Sequence, residues 1–331
     1  MPMKNELVDR YGRKLDYLRL SVTDRCNFRC YYCMPEEGID FVQRKDLLTY
    51  EELDYLTGIF VNLGVEKIRI TGGEPFVRKG IMDFLSTLTR HRTLKEITLT
   101  SNGSISEKQI QELHRLGIHK INISLDALDK QRFFEITRRD KFDEVFACIL
   151  NLLKLGFEVK LNCVVDGNKN IADIIPFVKL TAHYPLSVRF LEEMPFNGTG
   201  KFEVPEWNHL ALYDYISSHF TAIQKVQDGK NSTSVNYQIP GYQGTFGIIP
   251  AFSRTFCGTC NRIRLSATGE LRTCLYGPAV TNLRDVLRSG ANEASIKTEI
   301  RDAVAKKEKD GFDAEELNAK TPKKSMSFLG G

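Results

Sequence analysis

No run of about 20 apolar residues, the length a membrane-spanning helix needs, occurs in this sequence. A helix-anchored membrane protein is therefore excluded. Residues 1–13 are polar and resemble no secretory signal, so a cytoplasmic setting is expected. There is no G-x-G-x-x-G fingerprint and no Walker A loop, which removes the usual dinucleotide and P-loop phosphate sites. Excess charge is also scarce. The formal net charge is +4, and no basic stripe marks a duplex nucleic-acid binder. A local cationic pocket for a phosphate-bearing ligand remains compatible. No cysteine follows Cys274 and no histidine follows His219, so a zinc site late in the chain lacks a nearby fourth ligand.

What is present is a globular composition: 42% hydrophobic and 27% charged over 331 residues, enough for one barrel-sized domain or a domain plus an extension. Eight cysteines stand at 26, 30, 33, 148, 163, 257, 260 and 274. Cys148 and Cys163 are isolated on an expected helix and strand and read as buried free thiols. The other six form two triplets, and in a reducing compartment clustered cysteines mean metal rather than disulfides.

Read in order, residues 1–14 form a polar arm. Residues 17–22 alternate as a first strand, with the first triplet at its C-terminal end. Thr49 and Glu52 predict a capping box. Leu53, Leu56, Phe60 and Leu63 then repeat at helical spacing until Gly64. Strands at 67–71, 96–100, 120–125, 158–165 and 187–191 alternate with helices at 79–90, 107–116, 142–155 and 171–181. Such alternation predicts parallel βαβ units. Six of them fit an α/β fold, an incomplete (β/α)6 TIM-like barrel over 15–195. A Pro/Gly-rich break at 195–200 opens an extension over 196–309. It contains a helix at 207–219, strand candidates at 235–239 and 246–249, the second triplet, and a charged surface helix at 292–309. Residues 310–331 read as a loose tail ending in Gly330 and Gly331.

The motifs gather at strand ends, where α/β barrels place their active sites. Cys26, Cys30 and Cys33 have CxxxCxxC spacing, which suits an iron–sulfur cluster with one iron left open. Gly72-Gly73-Glu74-Pro75 ends strand two. Thr100, Ser101 and Asn102 end strand three, and Ser124 and Asp126 end strand four. Lys160 and Asn162 lie on strand five, and Arg189 and Met194 lie on and after strand six. Cys257, Cys260 and Cys274 form a second triplet, for which another open cluster is simpler than zinc. Arg262 and Arg264 share one face if their segment is extended. With Arg19 and Arg69 they imply an anionic substrate, because a barrel interior does not hold unpaired arginines.

The first triplet, with Tyr32 before its last cysteine, resembles the signature of radical S-adenosylmethionine (SAM) enzymes. In those enzymes one electron from the cluster cleaves SAM to a 5′-deoxyadenosyl radical. Both triplets together, with the terminal diglycine, resemble the GTP 3′,8-cyclase family over essentially the whole chain. That resemblance implies two [4Fe–4S] clusters, SAM, and a reaction in which C3′ of GTP loses hydrogen and bonds to guanine C8. It implies that Cys26, Cys30 and Cys33 hold the SAM cluster and that Cys257, Cys260 and Cys274 hold the other. It assigns Tyr32, Gly73, Ser124 and Met194 to SAM. It assigns Arg19, Arg69, Thr100, Lys160, Arg262, Ile263 and Arg264 to GTP, with Ile263 giving backbone or van der Waals contact alone. Gly330 and Gly331 are its catalytic diglycine. The implied partners are an electron donor and cyclic pyranopterin monophosphate synthase, with no nucleic acid and no membrane; a homodimer is left open. A radical SAM enzyme acting on peptides and a zinc-stabilised RNA-binding module are the rival readings.

Overall fold

A computed structural model describes residues 6–197, 202, 204–319 and 325–330. The described residues form twelve strands. These are β1 (Tyr17–Ser21), β2 (Lys67–Thr71), β3 (Glu96–Ser101), β4 (Lys120–Ser124), β5 (Glu158–Val165), β6 (Ser187–Glu192), β7 (Gln224–Lys225), β8 (Val235–Gln238), β9 (Thr245–Ile249), β10 (Arg262–Leu265), β11 (Glu270–Arg272) and β12 (Thr281–Asn282). They belong to two compact units, each built from more than one stretch of chain.

The first unit joins Met1–Asn27, Ile39–Thr100 and Cys257–Gly331. Its strand order is β12-β11-β10-β1-β2-β3, with β10, β1, β2 and β3 parallel. Alternation sorts its residues by face. Leu18, Leu20, Ile68, Ile70, Ile263 and Leu265 are buried on one side. Tyr17, Arg19, Ser21, Lys67, Arg69, Thr71, Arg262 and Arg264 lie on the other. The helix Tyr50–Asn62 starts as expected: Thr49 accepts from Glu52 N at 3.2 Å while Glu52 accepts from Thr49 N at 2.7 Å.

The second unit joins Phe28–Gly38 and Ser101–Phe256. Here β4, β5, β6 and β9 are parallel, and β8 and β7 add on antiparallel. A helix at Lys130–Thr137 was not anticipated; Asp129 caps it by accepting from Arg132 N.

Two further segments differ from expectation. The described part of the polar arm, residues 6–14, is packed: Leu7 is buried, as is Leu15 just after it, and Asp9 accepts from Tyr11 N, Arg13 N and Arg13 Nε. Satisfying those donors turns a polar stretch into a fixed turn. The expected loose tail carries helices at Gly311–Leu317 and Met326–Leu329. Gly331 lies outside the described residues.

Candidate active site

Strand register in the first unit sets three arginines side by side. Arg19 pairs with Arg264 on one side and with Arg69 on the other. Like charges one strand spacing apart, about 4.8 Å, repel by roughly 3 kcal/mol at an effective dielectric of about 20. Burial, then the charges of Arg264 and Arg69, push Arg19 well below the ordinary arginine range. Burial and Arg262 lower Arg264 to about 10, against an opposing pull from Cys274 and Cys260. Such a row calls for a polyanion in front of it.

Arg69 is aimed rather than loose. Its Nε donates to the Tyr17 hydroxyl, and its Nη1 donates to Leu99 O and Thr100 Oγ1, both at 3.2 Å. Tyr17 was not anticipated, although the alternation Tyr17–Arg19–Ser21 marks it as facing the same way. Burial raises its pKa, but Arg69, Arg19 and Lys67 outweigh that and lower it to about 7. Ile263 is fully buried and alternates to the opposite side, so only its backbone can meet a ligand on the arginine face.

Gly330 closes on this face. Arg264 Nη1 donates to Gly330 O at 2.9 Å. Gly330 has φ of 73°, and a Cβ there would lie 2.9 Å from Ser21 Cβ. Glycine is therefore required on both backbone and packing grounds.

The second triplet borders the same strand. Cys257 and Cys260 flank a short turn before β10, and Cys274 follows β11. All three are free and half-buried. Burial raises Cys260, but Lys307 and Arg262 outweigh it and bring the thiol to about 7. Burial and the negative charges of Cys274 and Cys260 instead push Cys257 up. A lowered Cys260 thiol flanked by cations suits a ligand of an iron–sulfur cluster. Among the described residues no three His, Cys, Asp or Glu side chains close on one point as a single ion would need. A four-iron cluster makes a different demand, because each thiolate takes a different iron.

The Gly-Gly-Glu-Pro turn lies in the first unit beside the chain that leads into Cys26. Gly73 N donates to Thr23 O and Glu74 N to Arg25 O, both at 2.8 Å. A Cβ on Gly73 would stand 2.4 Å from Arg25 O. The protein's own backbone therefore fills the space that a side chain at residue 73 would need.

In the second unit, Cys30 and Cys33 sit on a turn in which Cys33 N and Met34 N both donate to Cys30 O. Phe28, edge-on to Phe133 at 6.0 Å, anchors it. Tyr31 donates to Asp166 and Tyr32 to Asp126, each at 2.7 Å. Asp126 also accepts from Val164 N, and burial raises it to about 6 against those two hydrogen bonds. Glu193 rises to about 7 through burial and the charge of Asp166. These acidic strand ends suit a sulfonium ligand carrying ribose hydroxyls. Ser124 and Met194 are half-buried here; Met194 O accepts from Phe196 N. Lys160, on β5 beside Asn122, is paired with Glu158. Its ammonium is already engaged, and it lies in a different unit from the arginine row.

The description "Radical SAM superfamily" matches residues 20–181, and "Molybdenum Cofactor Synthesis C" matches 186–312. The structure of Streptococcus suis SuiB bound to S-adenosylmethionine is similar, with a TM-score of 0.60 at 15% identity over 87% of this chain and 69% of that one. That likeness shows the fold, the partial α/β barrel expected above. A "GTP 3′,8-cyclase, mitochondrial" of Arabidopsis thaliana is 39% identical over 337 residues, covering 100% of this chain and 85% of the relative. A "GTP 3′,8-cyclase" of Petrotoga mobilis is 37% identical over 332 residues, covering 98% and 100%. Similarity along at least 98% of this chain and at least 85% of each of these relatives, on a scaffold with both cysteine triplets, means that this chain belongs to the GTP 3′,8-cyclase family of radical SAM enzymes.

Proposed function

We infer that the chain converts GTP to (8S)-3′,8-cyclo-7,8-dihydroguanosine 5′-triphosphate, the first step of molybdenum cofactor biosynthesis. The carrying observation is the in-register row Arg264–Arg19–Arg69 beside the second cysteine triplet. It supports a triphosphate because three fixed cations on one face are destabilising without an anion. Cys26, Cys30 and Cys33 would hold one [4Fe–4S] cluster, and Cys257, Cys260 and Cys274 the other. Bound cluster and SAM supply a 5′-deoxyadenosyl radical as the hydrogen-abstracting agent.

The remaining work falls to side chains. Arg19, Arg69 and Arg264 would bind the triphosphate, with Thr100 and Tyr17 holding Arg69 in direction. Gly330 would bring the C-terminal segment over the substrate and exclude water, which protects carbon radicals from side reactions. Tyr32, Gly73, Ser124 and Met194 would border SAM. An electron donor and cyclic pyranopterin monophosphate synthase, acting on the product, are the partners in this reading. A reducing, cytoplasmic setting suits the free thiols; among the described residues no helix is long and apolar enough to cross a membrane.

The test is anaerobic reconstitution, iron counting, and addition of dithionite, SAM and GTP. About eight irons as two four-iron clusters, 5′-deoxyadenosine and a product isomeric with GTP are expected. 5′-Deoxyadenosine with unchanged GTP would refute the substrate.

A further inference from the structure

Lys307 lies just beyond the helix Glu293–Ala305, in a stretch whose composition reads as solvated surface. It is nevertheless buried, with 2% of its surface exposed. Its ammonium donates to Thr273 O, to Arg262 O at 3.3 Å and to Cys260 Sγ at 3.7 Å. None of these partners is a carboxylate. A buried ammonium needs an anion, since taking it out of water costs several kcal/mol. Of these three partners, the one that can carry negative charge is the Cys260 sulfur.

The positions of the two carbonyls matter equally. Arg262 is two residues after Cys260, and Thr273 is the residue before Cys274. One ammonium therefore ties together two arms of the triplet that are far apart in sequence. Arg262 Nη1 adds a second cation 4.0 Å from the same sulfur, but that side chain is half-exposed whereas Lys307 is sealed. In a dry site a fixed cation acts at close to full strength. Hydrogen bonds and charge beside ligand sulfurs set cluster potentials.

We propose that Lys307 is a positioning residue of the second triplet: its ammonium gathers the Cys260 and Cys274 arms and is the fixed countercharge of the cluster they hold. This rests on the reading of that triplet as cluster ligands. By stabilising the extra negative charge of the reduced state, Lys307 raises the reduction potential of this cluster and leaves the SAM cluster unaffected.

The experiment compares wild type, Lys307→Gln and Lys307→Met as full-length reconstituted enzymes. It reads iron content, melting of the iron-free and iron-loaded forms, and an EPR-monitored potentiometric titration. Glutamine keeps a donor without charge; methionine keeps neither. In both variants one of two midpoints falls, with the reduced-to-oxidised ratio at fixed potential lower by at least about tenfold, or about 59 mV for one electron. Loss of about four irons, one cluster, from a variant that melts like wild type when iron-free also supports the proposal. Two unchanged midpoints overturn it. So does a wild-type midpoint in Lys307→Gln alone, which would make hydrogen bonding rather than charge the cause. A lower melting temperature already in the iron-free form makes Lys307 a structural prop and overturns it too. Wild type holding only about four irons would refute the cluster reading of the triplet before Lys307 is in question.

Discussion

Arg264 and Gly330 are joined by a hydrogen bond of 2.9 Å from the guanidinium to the glycine carbonyl. One of the three arginines in the row thus holds the C-terminal segment against the ends of β1 and β2, where Ser21 and Thr71 meet it. In the proposed reading, substrate binding and closure of the site share a single side chain. Gly330→Ala tests this. An alanine at φ of 73° is strained by about 1–2 kcal/mol, and its Cβ would meet Ser21 Cβ at 2.9 Å. The segment lifts away, the melting temperature changes little, and the rate of product formation falls at least tenfold. A variant with wild-type turnover would remove Gly330 from the site.

Arg19 stands in the middle of the row, so the like charges of Arg264 and Arg69 act on it from both sides. Arg19→Met removes a cation whose charge is disfavoured until an anion arrives. The ligand-free melting temperature does not fall, and GTP affinity drops at least tenfold. Wild type gains stability with added GTP, by about 2.7 kcal/mol at one hundred times Kd, and the variant loses most of that gain. Thermal shift with and without GTP checks both statements. A variant that melts lower and binds GTP normally would contradict the repulsive row.

Tyr17 gives a pH signature. The arginines lower its folded pKa to about 7, against about 10 in the unfolded chain. A depressed acid contributes stability that is fully present above pH 10 and is lost as pH falls through about 7. Ligand-free wild type therefore gains on Tyr17→Phe between pH 7 and 10, at up to about 1.4 kcal/mol per pH unit. Bound triphosphate offsets the cations and raises Tyr17 again, so GTP binding takes up a proton in that window. Urea unfolding at pH 6 and pH 9, with tyrosinate absorbance, checks the sign. An identical pH profile in both proteins would rule it out.

The sequence made the scaffold legible because its βα units carry local signals. The span 158–165 of β5 matches the expected strand residue for residue, and the Thr49–Glu52 box caps its helix as read. The arginines were legible for the same reason: alternation alone puts Arg262 and Arg264 on one face. What escaped depends on long-range packing. Lys307 sits 47 residues from Cys260, and nothing around it suggests burial. Asp126 and Tyr32 meet across 94 residues. The helix Lys130–Thr137 is short, with only Phe133, Ile136 and Thr137 buried, so its periodicity is faint. Lys160 is assigned to GTP by the resemblance alone, and in the structure its ammonium is paired with Glu158.

Glu192 ends β6 and is fully buried, yet it carries five hydrogen bonds from two other protein segments. Its Oε1 accepts from His209 N and Ser253 Oγ and also meets His209 Nδ1 at 3.1 Å, and its Oε2 accepts from Phe252 N and Ser253 N. The carboxylate thus fixes the start of the helix His209–His219 and the loop before the second triplet, and it sits two residues before Met194. Glu192→Gln keeps the shape but turns one oxygen into a donor. Whichever way the amide points, it faces backbone N–H groups, leaving at least one buried donor unpaired, at a cost of about 1–3 kcal/mol. Urea unfolding should show a lower midpoint at an unchanged slope. The loop bearing Met194 loosens as well, so SAM affinity falls while GTP affinity at the arginine row holds. Equal losses for both ligands would mean that Glu192 supports the whole molecule rather than its own unit.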